Sequence, residues 1–176
     1  MLEPTDGGGS DGSSSDASHV DASQPDASPP PPIDGGACND LVQKGSSIPL
    51  NAVATLPPPH STGGAVSPGT YVLTSATMYT GTGGQTGTMG NQALTLLFTA
   101  ANQGFDIQAV SDTGTGNTAS SVTATLTSPG MMSLTPYCPT SGTPQSVSYS
   151  STGGTLTFYV DGGSNISLVE VLTAIN

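Results

Sequence analysis

Basic residues are almost missing from this chain: Lys44 is the only lysine or arginine among 176 residues. A basic patch to neutralise phosphates is therefore missing, which argues strongly against nucleic acid as a partner. The same lack argues against anionic membranes and phosphate-bearing substrates. Tryptophan is absent, so the largest flat ring for stacking on a sugar is missing. The two cysteines, Cys38 and Cys138, cannot build a zinc site by themselves. The two histidines are no better placed for chemistry, since His19 lies in an acidic stretch and His60 follows Pro57-Pro58-Pro59. A hydrolase needs a nucleophile, a base and an orienting acid, and no Gly-x-Ser-x-Gly stands in a strand-turn-helix context. No enzymatic activity and no cofactor are expected. Apolar runs are too short for a membrane-spanning helix, and no segment sustains a 3.6-residue period, so helix is expected to be minor.

Acidic residues are present but unevenly placed. Of the twelve, eight precede Leu41, and only Asp106, Asp112, Asp161 and Glu170 follow it. Asp6, Asp11, Asp16, Asp21 and Asp26 recur every five residues, separated by small, polar or proline residues. Such a stretch has almost no apolar area whose burial could offset the entropy of ordering it. Residues 1–36 are therefore read as a disordered acidic tether, stiffened toward its end by Pro29 to Pro32. Residues 37–66 are read as a transition, in which Cys38 to Val42 forms a turn of helix or an edge strand. Residues 67–176 are read as an antiparallel β domain.

The β reading rests on period two with turns at short intervals. Leu94, Leu96 and Phe98 share a face, as do Phe105, Ile107 and Ala109. Val122, Ala124 and Leu126 alternate with threonines, and Leu156, Phe158 and Val160 repeat that pattern. Asn102-Gln103-Gly104, Pro129-Gly130 and Gly153-Gly154 mark turns, and Gly81 to Gly90 reads as a glycine-rich loop. The pattern predicts about eight strands, hence an up-and-down barrel or, alternatively, a β-sandwich.

The cysteines are expected to pair in an oxidising compartment, closing a loop of about 100 residues; two separate buried thiols are the alternative. Gly35-Gly36-Ala37-Cys38 ends like a bacterial lipidation box, but Pro29 to Asp34 occupy the place of its apolar stretch. Lipidation at Cys38 is not expected, and any membrane association is expected only through an anchor upstream of Met1.

Gly69-Thr70-Tyr71-Val72-Leu73-Thr74 resembles the strand opening of lipocalin-like proteins, where an aromatic two residues after a glycine plugs the barrel floor. Tyr71 stands where that group usually carries tryptophan. Together with Cys38 and Cys138-Pro139, the chain resembles small secreted or lipid-anchored bacterial proteins of unassigned function with a lipocalin-like β module. The resemblance implies a barrel able to hold a small ligand.

Two residues are candidates for ligand binding. Tyr71 is one, through that resemblance. Glu170 is the other, because a regular strand places it on one face with Leu168 and Leu172, where it lines a cavity, caps an edge or marks a bulge. Asp106 is expected to face water, and Asp112 and Asp161 to serve turns. No metal site is expected. The reading is a non-enzymatic, extracytoplasmic monomer with a barrel for a small apolar ligand; the alternative is an adhesive β-sandwich acting through its surface.

Overall fold

The structure, a computed structural model, describes residues 38–58, 61–163 and 166–176. The tether reading of residues 1–36, and the reading of His60, lie outside them. Among the described residues there are nine strands and no helix. They are β1 (Ile48–Val53), β2 (Gly69–Tyr79), β3 (Gly87–Ala101), β4 (Gly104–Asp112) and β5 (Asn117–Ser128). β6 (Met131–Cys138), β7 (Gln145–Thr152), β8 (Thr155–Gly163) and β9 (Ile166–Ile175) complete the sheet.

β2 to β9 form an antiparallel meander, and β9 returns to pair with β2 from Thr70↔Ile175 to Tyr79↔Ser167. The eight strands of the meander thus form a barrel-like ring in which every strand has two neighbours. Closure satisfies the backbone groups that an open sheet would leave at its edges. The period-two segments of the sequence map onto these eight strands. Short turns set the register: Gly104 follows a two-residue turn with φ +153°, and a Cβ there would collide with the Ala124 carbonyl.

The ninth strand departs from the expected antiparallel set. β1 runs parallel to β2 and antiparallel to β3. It fills a wedge, because β2 and β3 pair directly only from Gly69↔Phe98 to Val72↔Thr95. Beyond that point β2 bulges, with Thr74 as the extra residue between Leu73 and Ser75, and such a bulge bends its strand. The region 37–66, read as a transition, therefore supplies part of the sheet. Pro49 is tolerated there because pairing with β2 starts only at Leu50↔Ala76, so it meets β3 alone. Two local expectations change for related reasons. Pairing with β1 draws Gly87 to Gly90 out of the predicted glycine loop and into β3. Residues 38–47 are mainly an extended strap across the outer face, neither helix nor edge strand.

The interior is packed unevenly. At the end near the start of β2, Tyr71, Phe98, Phe105, Met132, Leu156 and Leu172 fill the ring. Tyr71 and Phe105 each meet Phe98 edge to face, with ring centroids 5.2 and 5.6 Å away. Each such side chain removed from water contributes roughly 1.5–3 kcal/mol, with a smaller increment from the ring geometry. The connection before β2 seals this end: Val66 is buried, Tyr71 Oη donates to the Ser67 carbonyl (2.9 Å) and Tyr149 Oη to that of Gly64 (3.3 Å).

Candidate functional site

Side-chain size falls along the strands away from that sealed end. On β4 the inward series runs Phe105, Ile107, Ala109, and on β3 it runs Phe98, Leu96, Leu94 in the same direction. β2 contributes Leu73 and then only Ala76 beyond its bulge. Beyond the packed rings the interior holds a cavity of about 210 Å³. Leu94 and Leu96 of β3, Ile107 and Ala109 of β4, and Val122 of β5 form one wall. Leu134, Val147, Phe158 and Val160 form the other, with Glu170 of β9 between them and β2.

Glu170 is the only charged residue of that lining. Its place follows from register: it pairs with Ala76 on β2 and Phe158 on β8, and strict alternation along β9 puts it on the face of Leu172. The expectation that it shares a face with apolar residues therefore leads into the ring. Gln92 of β3, opposite Ile48 of β1, donates from Nε2 to Glu170 Oε1 at 3.2 Å. Burial pushes the Glu170 carboxyl above the usual glutamate value, and the Gln92 hydrogen bond opposes that shift without cancelling it. Gln92 was not legible as a partner, because it lies 78 positions away in the chain and the β1 wedge sets its neighbours.

Tyr71, the other candidate, is placed differently. It is 2% exposed, packs on Phe98 and does not line the cavity. It fills the closed end of the ring. The two candidates thus mark opposite layers of the interior.

The remaining acids serve the scaffold. Asp106 is half-buried on the outer face and accepts a hydrogen bond from Tyr137 Oη at 2.8 Å. Burial and that bond raise the Tyr137 pKa. Asp112 accepts from the backbone N–H of Gly114 (2.7 Å) and Gly116 (3.2 Å), and Asp161 from that of Gly163 (2.8 Å). Both are turn roles. Among the described residues, no three His, Cys, Asp or Glu side chains gather as a metal would need.

Cys38 and Cys138 form a disulfide, with Cα atoms 5.5 Å apart. It fastens the strap to the end of β6. From there Asn39 Nδ2 donates to the Ser120 carbonyl (2.7 Å) and Gln43 Nε2 to that of Val110 (3.2 Å). Beside the strap lies a larger depression of about 590 Å³, bordered by Leu41, Val42, Val110, Ala119 and Pro139. It lies on the outside and contains no titratable side chain. The smaller interior cavity, with a carboxyl in an apolar wall, has the features of a ligand site: mostly hydrophobic lining and a few placed polar groups.

No protein-family model, curated protein or solved structure matches this chain.

Proposed function

We propose that the β domain is a non-enzymatic binding module of an extracytoplasmic protein, and that it holds one small apolar ligand inside the ring. The observation that carries this reading is the cavity of about 210 Å³ with a nearly all-hydrocarbon lining. Drug-sized molecules occupy pockets of roughly 300–1,000 Å³, whereas an apolar cavity of about 150 Å³ suffices for benzene. The fitting occupant is a single ring with a short substituent, or an aliphatic of similar bulk. Export is supported by the disulfide, because such bonds persist in oxidising compartments. In this reading the acidic residues 1–36 act as a solvated spacer.

Toluene is a suitable first probe. Added to the full-length protein, it should shift the methyl resonances of Leu94, Ile107 and Val122 in a saturable way. Ala109→Phe, which fills the space, should abolish those shifts. If toluene leaves the methyls of the unsubstituted protein unmoved up to its solubility limit, the binding reading is wrong.

A further inference from the structure

Among the described residues, the carboxyl in the cavity wall has no cation to answer it. Gln92 makes the only hydrogen bond to Glu170 among the described residues, and it uses Oε1. No buried side-chain oxygen or nitrogen there lacks a partner. Among the described residues no donor meets Oε2, which leaves it spare acceptor capacity. Among the described residues no lysine, arginine or histidine lines the cavity, and Lys44 belongs to the strap, where its backbone N–H is bonded to Thr95 Oγ1 on the outer face. Hydrocarbon alone in the cavity would bury a carboxylate with nothing to offset its lost hydration, which is costly. A carboxylic acid ligand would place two carboxyls side by side, each opposing the other's ionisation. An ammonium group reverses both penalties. It pairs with the carboxylate through charge-assisted hydrogen bonds, stronger than neutral ones.

We propose, building on the ligand-holding reading, that the cavity selects a small apolar primary amine whose ammonium group docks on Glu170 Oε2. The hydrocarbon body, on the order of ten heavy atoms for a space this size, lies against Leu96, Ile107, Val122 and Phe158. Gln92 is a positioning residue: its amide holds Oε1 and leaves Oε2 for the ligand. The net charge of −11 favours a cation at every stage of approach. The groups facing Glu170 are Ala76 from β2, Phe158 from β8 and Gln92 from β3, and the rest of the lining is uncharged. Glu170 is thus the one titrating group of the site, and amine affinity should rise with pH until Glu170 is ionised.

The test is calorimetric titration of the full chain with 2-phenylethylamine and its neutral isostere 2-phenylethanol, each with the unsubstituted protein and with Glu170→Gln. The unsubstituted protein should prefer the amine by about tenfold or more. Glu170→Gln should collapse that ratio toward unity, with its tyrosine circular dichroism confirming the fold. Lowering the pH through the Glu170 titration should weaken the amine and leave the alcohol flat. Equal binding of the two probes, or an amine preference that survives in Glu170→Gln, overturns the amine inference while leaving the cavity as a ligand site. Binding of neither probe, together with unmoved methyls under toluene, overturns both.

Discussion

Glu170 shows how much a single position depends on its surroundings. In the extended chain it is an ordinary glutamate between two valines. In the ring it faces Ala76 and Phe158, and burial raises its pKa despite the bond from Gln92. The folded chain therefore keeps this proton through a pH window in which the unfolded chain has released it. Stability from this group is fully present below the unfolded pKa and is lost as pH rises through the folded one. Glu170→Gln cannot ionise and escapes that loss. The melting temperature of the variant minus that of the unsubstituted protein should grow as pH rises from about 4, then level off. All other carboxylates are common to both proteins and cancel. A difference that stays flat in thermal melts across that range would show that the side chain is solvated in the folded state.

At the scale of elements, the strap and β1 stand out. The strap is held by polar groups buried on the outer face: Thr95 is fully buried, and Ser121 nearly so. Thr95 Oγ1 accepts from the backbone N–H of Lys44 (2.9 Å) and Gly45 (3.1 Å) and donates to Gln43 Oε1. One hydroxyl thus serves three strap residues just before they enter β1. Thr95→Val keeps the shape and removes the hydroxyl, leaving the Lys44 N–H without a partner. Urea denaturation should show a loss of about 1–3 kcal/mol, with Thr95→Ser close to the unsubstituted protein. If valine and serine behave alike, the hydroxyl does not hold the strap. The sequence shows Thr95 only as one outward threonine among many, because nothing local marks which of them the strap will cover.

At the scale of the whole molecule, two closures act together. Pairing of β9 with β2 closes the sheet, and the Cys38–Cys138 bond closes the chain across a separation of 100 residues. A crosslink of that span is nominally worth about 4–5 kcal/mol in the chain-entropy model, and often less in practice. The Cys38→Ser/Cys138→Ser pair should therefore lower the unfolding free energy by up to that amount in urea melts. Hydrogen exchange should quicken first at the strap amides of Leu41, Lys44 and Gly45, while β8 and β9 keep their protection. Uniform loss of protection would mean that the bond staples the ring rather than the strap.

The sequence by itself determined the eight strands of the meander, the inward faces of most of them, the gathering of acidic residues before Leu41, and the two cysteines available to pair. These follow from composition and local physics: side-chain alternation along a strand and turn chemistry at Gly and Pro. Only the tertiary structure decided that β1 wedges between β2 and β3, and that Glu170 looks into a cavity while Tyr71 plugs the far end. It also decided that Gln92 meets Glu170 and that Asn39 and Thr95 anchor the strap. Each of these depends on register between strands distant in the chain, and on one bulge at Thr74, which period-two reading along a single segment cannot see. Even the shortage of basic residues changes meaning once the ring is closed. Along the chain it only argued against some partners; inside the fold it leaves a carboxyl in an apolar wall with no cation among the described residues to meet it.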